Sequence, residues 1–281
     1  MMIDAHQHFW RLVDREGHWP PADLRMIYRD FEPEDLKPIL DGNGIDGTVL
    51  VQTLPNQADT EFMLDLADQH PFILGVVGWV DLKDVDAPAQ IERLARHSKL
   101  KGLRPMLQSL PDDDWIEDPA LQPAIAAMRQ HQLTFDALVL PRHLPGLTRF
   151  ARRFPELPIV IDHAAKPFIA AQVLEPWRTQ MNDLAALPNV HCKLSGLLTE
   201  TGSNTDVTSL APYMQAVLSA FSPQRLMWGS DWPVLRLAGD YAAWLAQCLD
   251  FCKALFPEDR EAIFGGNAAR FYRLKPINQE H

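Results

Sequence analysis

Cysteine is scarce in this chain, with Cys192, Cys248 and Cys252 the only three among 281 residues. An odd, sparse count excludes a disulfide framework. The i, i+4 spacing of Cys248 and Cys252 reads as a pair of buried, reduced packing thiols. No apolar run approaches the roughly 20 residues that a membrane-spanning helix needs. Residues 1–10 lack the basic and apolar regions of a secretion signal. A reducing cytoplasm is the expected compartment. Positive charge is also short: 26 lysines and arginines stand against 37 aspartates and glutamates, a net charge of −11. That balance argues against nucleic acid or an anionic membrane as the main partner. Finally, there is no Gly-x-Ser-x-Gly elbow, so no serine nucleophile is expected.

What is present is a repeat. Short apolar, β-type runs alternate with amphipathic helical patterns from end to end. Eight strands are expected, at 2–8, 47–53, 73–81, 100–107, 134–140, 159–165, 190–196 and 226–231. Runs such as Thr48-Val49-Leu50-Val51 and Ile159-Val160-Ile161 are continuously apolar, as strands are when both faces of a parallel sheet are covered. Helices are expected at 33–40, stopped by Asp41-Gly42, and at 61–69, capped by Asp59-Thr60. Further helices are expected at 87–97, 119–132, 144–154, 177–187, 210–221 and 241–255. Eight βα units close a barrel, so the fold class is α/β, a (β/α)8 TIM barrel, with residues 1–281 as a single domain. Two long loops, 9–32 and 199–208, then fall on the C-terminal rim, where barrels place their chemistry. The first carries Trp10, Trp19, Arg25, Tyr28 and Arg29, and serves either as a pocket wall or as packed surface.

Polar residues at the strand ends carry the chemical signal. His6 and His8 are two apart, so they share a face of the first strand about 7 Å apart along it. They can converge on one divalent ion or stand as hydrogen-bonded structural histidines. An apolar strand ending in Asp162-His163 places His163 at the rim of the sixth strand, with Asp162 directed to the other face. Gly229-Ser230-Asp231 presents Asp231 at the rim of the eighth, either as a metal ligand or base, or as a cap for the next helix. Arg104 on strand four and His191, Lys193 and Ser195 on strand seven form a cationic set. Lysine and arginine are rarely buried unpaired, so this set serves an anionic or carbonyl-bearing ligand, or forms internal ion pairs with Asp136, Asp162 or Asp231.

Taken together, several segments resemble the amidohydrolase superfamily, and within it the lactonase branch. They are Asp4-Ala5-His6-Gln7-His8-Phe9-Trp10, Gly75-Val76-Val77-Gly78-Trp79-Val80-Asp81, Lys101-Gly102-Leu103-Arg104, Asp162-His163 with Lys166-Pro167, Lys193-Leu194-Ser195-Gly196-Leu197 and Gly229-Ser230-Asp231-Trp232-Pro233. The similarity runs from Met2 to Arg270. It implies a hydrolase that opens a lactone, best a sugar-acid lactone, by attack of water. Asp231 and His163 would be catalytic, with Asp231 the general base. Gln52, Arg104, Lys193 and Trp232 would bind substrate. His6, His8, His163 and Asp231 would hold zero or one divalent metal, zinc being expected. Binuclear members supply a bridging lysine or glutamate on strand four and a histidine on strand five. Here those places read Arg104 and Phe135-Asp136, so two metals are not expected. The partner is a small-molecule lactone, and a homo-oligomer is compatible with the sequence. A mononuclear-metal decarboxylase and a non-catalytic sugar-acid binding protein remain as alternatives.

Overall fold

The computed structural model describes residues 1–15, 17–202 and 209–275. Eight parallel strands pair in chain order: β1 (Ile3–Gln7), β2 (Gly47–Val51), β3 (Ile73–Gly78), β4 (Leu100–Leu103), β5 (Thr134–Ala137), β6 (Ile159–Ile161), β7 (Val190–Leu194) and β8 (Leu226–Trp228). The ends of this sheet meet through a parallel bridge between Gln7 and Trp232, so the sheet closes as a (β/α)8 TIM barrel. Around it lie α1 (Pro33–Asn43), α2 (Gln57–Gln69), α3 (Ala87–Ala95), α4 (Gln122–Gln130), α5 (Leu144–Arg153), α6 (Trp177–Ala185), α7 (Ala211–Phe221) and α8 (Tyr241–Phe251). Two short helices, α9 (Pro257–Glu261) and α10 (Asn267–Phe271), complete the described chain. No helix among the described residues is long and apolar enough to cross a membrane.

Both layers of the barrel are apolar where the strand runs are continuous. Leu50, Val76, Phe135, Ile159, Ile161 and Leu194 pack outward into the helix layer. Val49, Val51, Val77, Val160 and Met227 form a second cluster with Ala268, Phe271, Tyr272 and Leu274. Thus α10 and the residues after it plug one end of the barrel. The three cysteines are buried, free thiols.

Each expected strand exists, but each is shorter at its C-terminal end than its apolar run suggested. The reason is backbone conformation at the rim. After β6, His163, Ala164, Ala165 and Lys166 all lie in the left-handed region, with φ of 53°, 49°, 60° and 50°. After β8, Asp231 does the same at φ 60°. None is glycine, and each such residue costs roughly 1–2 kcal/mol relative to right-handed backbone. Backbone strain of this kind clusters at functional sites.

Two helix ends differ from expectation. Helix α1 runs through Asp41-Gly42 and stops at Gly44, whose φ of 68° supplies the left-handed cap. Helix α2 is capped by Asn56, whose side chain accepts from the Asp59 amide at 2.7 Å. Asp59 sits in the first turn instead and accepts from the Thr53 and Leu54 amides at 2.9 and 3.2 Å.

Register in the first strand also matters. Pairing of β1 with β2 shifts between Asp4 and Gln7. Asp4 therefore bonds to Ser230 (Oγ at 2.6 Å, amide at 2.9 Å) and Tyr241 (3.0 Å), while His6 meets Lys193 and Asp162. Burial pushes Asp4 up to about 6 against these donors. Asp4 thus fastens β1 to the last strand and to α8. Replacing it by Asn exchanges an acceptor for an amide N–H among hydroxyl and amide donors. Asp4→Asn is expected to lower stability by about 1–3 kcal/mol, read as a lower midpoint in urea. An unchanged midpoint would show that these bonds do not support barrel closure.

Candidate active site

Three imidazoles turn their Nε2 atoms toward one carboxylate oxygen. Asp231 Oδ1 lies 3.1 Å from His8, 3.7 Å from His6 and 3.8 Å from His163. The rings of His6 and His163 stand 4.4 Å apart, and those of His6 and His8 4.8 Å. All four residues are buried.

Each ring is held from behind through Nδ1. His8 Nδ1 is 2.7 Å from the Val51 carbonyl and His163 Nδ1 is 2.9 Å from Ser195 Oγ, while His6 Nδ1 meets Lys193 Nζ at 3.2 Å with Asp162 at 3.3 Å. Such outer partners fix ring orientation and tautomer in metal sites. Close approach sets the glycine at 196: its φ is 62°, and a Cβ there would stand 2.4 Å from His163 Nδ1. Any other side chain would push His163 out of line.

A divalent cation fits this donor set. Val51 O can only accept, so His8 Nδ1 carries a proton, and His8 Nε2 faces the Asp231 carboxylate at 3.1 Å. That approach is served by a second ring proton or by a metal ion between the two atoms. Burial also pushes His6 well below the usual histidine range and His163 down to about 4, so both offer neutral nitrogens at pH 7, the form that binds metal. One ligand atom from each of His6, His163 and Asp231 lies within 4.8 Å of the others. His8 stands beside that trio, bonded to Asp231.

Burial pushes Asp231 up, but His163, the bond to His8 and then His6 outweigh it and hold the carboxyl well below its ordinary range. It is therefore an ionised acceptor that reaches a cavity of about 310 Å³. The same cavity is lined by His8, Arg104, His163, Trp19, Thr53, Lys166, Thr199 and Glu200, among others.

Of the expected substrate contacts, Arg104 lines the cavity, whereas Gln52, Lys193 and Trp232 do not. Gln52 is a clamp on Arg104: its Nε2 donates to the Arg104 carbonyl at 2.7 Å, and its own carbonyl accepts from the guanidinium. Trp232 packs edge-on against Phe9 and Phe31 at 5.9 and 5.2 Å. Lys193 is fully buried one layer below, donating to Asp136 at 2.7 Å and pairing with Asp162 at 3.0 Å. Strand parity correctly turned Lys193 inward, but not to the depth of the cavity. Asp162 belongs to this same layer and not to an outer face: it pairs with Lys193, His6 and Arg104. Burial pushes it up, and Lys193, its contact with His6 and Arg104 together bring it well below the usual carboxylate range. Tyr272 completes the layer by donating to Asp136. His191 lies elsewhere, its ring against Phe271 at 4.8 Å.

The loop at 9–32 is both wall and core. Trp19 lines the cavity, while Trp10 and Phe31 are fully buried and stack edge-on at 5.3 Å. From the loop at 199–208, Thr199 and Glu200 line the cavity, and 203–208 lie outside the described residues. Lys166 and Glu200 had no role in the sequence reading. Only the Lys-Pro that follows Asp162-His163 hinted at the former.

An amidohydrolase family model matches residues 3–274. The chain is 58% identical to an L-fucono-1,5-lactonase of Burkholderia ambifaria, over 99% of this chain and 98% of that one. It is 36% identical to an L-fucono-1,5-lactonase of Burkholderia multivorans, covering 98% and 96% respectively. A crystal structure of a Burkholderia multivorans amidohydrolase with bound zinc superposes with a TM-score of 0.91 at 36% identity, covering 98% of this chain and all of that one.

Proposed function

The chain belongs to the amidohydrolase family, and from that premise we propose that it opens L-fucono-1,5-lactone or a closely related sugar-acid lactone, with Asp231 as general base. It is a hydrolase of lactones. The observation that carries the mechanism is the convergence of His6, His8 and His163 on Asp231 at a cavity.

Lactone opening needs three things: a polarised carbonyl, a deprotonated water and a proton for the ring oxygen that leaves. Asp231, ionised and held by the imidazoles, accepts the proton of the attacking water as the new C–O bond forms. When the ring C–O bond breaks, the same carboxyl returns that proton to the departing oxygen, giving the hydroxy acid. Arg104 stands beside His6, its Nη1 3.4 Å from Nε2, where positive charge favours the developing oxyanion. His163, fixed by Ser195 and Gly196, orients the carbonyl and helps keep Asp231 ionised. His6, His8, His163 and Asp231 would hold one zinc ion, which when bound supplies Lewis-acid polarisation of the carbonyl and acidifies water.

One ion, not two, suits the charges. Two adjacent divalent ions need a bridging anion, and Arg104 adds a permanent positive charge beside His6. Protein purified without chelator is expected to carry one equivalent of zinc by elemental analysis, and two equivalents would refute the single-ion reading. The activity itself is tested with a pH-indicator screen of aldonolactones, L-fucono-1,5-lactone included, with and without chelator. Acid release without carbon dioxide is the expected product signature. Failure to open any aldonolactone would overturn the assignment.

A further inference from the structure

Arg15 has no place in the chemistry above, yet only 2% of it is exposed. It follows the short turn Leu12–Asp14 in the loop at 9–32. A buried guanidinium is costly unless it is fully paired. This one is not: its Nε has no partner, and the Asp59 carboxylate stands 3.7 Å away. Burial pushes Arg15 down to about 10, while Asp59 and then Asp14 draw it back up, so it is charged at pH 7. An apolar side chain of similar volume would cost the core less.

The two bonds that Arg15 does make go to one wall. Nη1 donates to the Trp19 carbonyl at 2.7 Å, and Nη2 donates to Thr53 Oγ1. Trp19 and Thr53 both line the cavity that Asp231 reaches. One comes from the loop and the other from just past β2, so Arg15 staples the loop to the barrel rim. The local chain is folded for this purpose. The His18 amide donates to the Arg15 carbonyl at 2.7 Å, and Gly17 takes a φ of 81°, which returns Trp19 to the guanidinium. Trp10 carries the guanidinium at 5.1 Å from its ring and meets Trp19 edge-on at 5.2 Å.

On the other side of the staple is empty space. A second cavity, of about 560 Å³, lies between Arg15, Trp10, Asp14, Asp59 and Phe62. Arg15 faces this cavity and not the one at Asp231, while Trp19 and Thr53 do the reverse. A wall with a void behind it has fewer packing contacts to fix it, so its polar bonds decide where it stands. Trp19 and Thr53 reach outward to Arg15, Asp59 and Trp10, and among the described residues neither bonds to His6, His8, His163 or Asp231.

We propose that Arg15 is a positioning residue for substrate binding, which holds Trp19 and Thr53 against the substrate from behind the wall of the cavity. Its kinetic test rests on the lactonase reading above. The test reads KM and kcat for L-fucono-1,5-lactone in the enzyme purified without chelator. Arg15→Met is expected to raise KM about tenfold and to keep kcat within about threefold, because bonds from a charged donor are lost where substrate is held and not where it reacts. Trp19→Ala should also raise KM. Arg15→Met added to it should raise KM no more than about threefold further, since residues that act through one another are not additive. An unchanged KM in Arg15→Met overturns the proposal, and so does a loss confined to kcat. A full further tenfold rise, or about that, in the double variant overturns it too, because Arg15 would then act apart from Trp19.

Should Arg15→Met fail to fold, Arg15→Lys takes the same readings, because it keeps a charge beside Asp59 without the two-pronged geometry. Unfolding of both variants overturns the proposal, since Arg15 would then support the fold as a whole. A wild-type enzyme that opens no aldonolactone overturns the lactonase reading, and the position of the wall is then read without substrate. The part of the tryptophan emission that Trp19→Phe abolishes should be quenched more readily by acrylamide in Arg15→Met than in the wild type. Equal quenching overturns the positioning role.

Discussion

Asp231→Asn is expected to reduce kcat by about 10²-fold or more while leaving the circular dichroism spectrum unchanged. The amide keeps the shape of the side chain at its left-handed backbone position, but it cannot accept a proton from water at neutral pH. In the native site, His163, His8 and His6 together hold the carboxyl ionised against the effect of burial. That environment has one evident use, which is to keep an acceptor ready next to the cavity. An Asn variant with near-normal kcat would sink the role of Asp231 as base, and the single-residue proton shuttle with it.

The largest loss of stability is expected from Lys193→Met. Sequence reasoning placed this lysine on the substrate, and its removal would then have raised KM and spared the fold. The structure moves the effect. Lys193 lies between Asp136 and Asp162, both fully buried, and Tyr272 donates to the former. Without the ammonium, Asp136 and Asp162 share the barrel with only Arg104, on the Asp162 side, to answer their charge. Removing one partner of a buried ion pair costs about 3–5 kcal/mol. In a chain of this size that lowers the melting temperature on the order of 10 °C. Asp136→Asn in the same background should restore part of the loss, because it removes one of the stranded charges. An unchanged melting temperature with a raised KM would return Lys193 to direct contact with substrate.

Why the sequence led so far and then stopped is visible in these same residues. The strands were legible because runs such as Ile159-Val160-Ile161 can only be covered on both faces, and eight such runs with helices between them close a ring. His6, His8, His163 and Asp231 were legible because each is a polar residue that interrupts an apolar run where a barrel strand reaches its rim. Depth along the barrel axis leaves no such mark. Lys193 and Ser195 share a parity, yet one lies in the buried charge layer and the other hydrogen-bonds His163. The register shift in β1 and the four left-handed residues after β6 break the alternation from which facing was inferred. Asp162 was therefore turned to the wrong side. Tyr272 arrives from beyond the last βα unit, and Lys166 and Glu200 sit in loops, where no periodicity announces a role.

The position of Asp231 relative to the histidines has a consequence for how this enzyme comes into being. His8 and Asp231 are 223 residues apart, just past the first and last strands, and their own backbones make the closing bonds. The Asp231 amide donates to the His6 carbonyl, and the His8 amide to the Trp232 carbonyl, each at 2.8 Å. Asp231 and the imidazoles of His6 and His8 therefore meet only when the ring of strands shuts. A growing or shortened chain that lacks β8 holds the three histidines without Asp231, so it lacks the carboxylate that completes the site. Contacts this distant in sequence form late in folding. Catalysis thus begins with the final seam, and any ion bound there ties the two ends of the barrel together at the moment the activity appears.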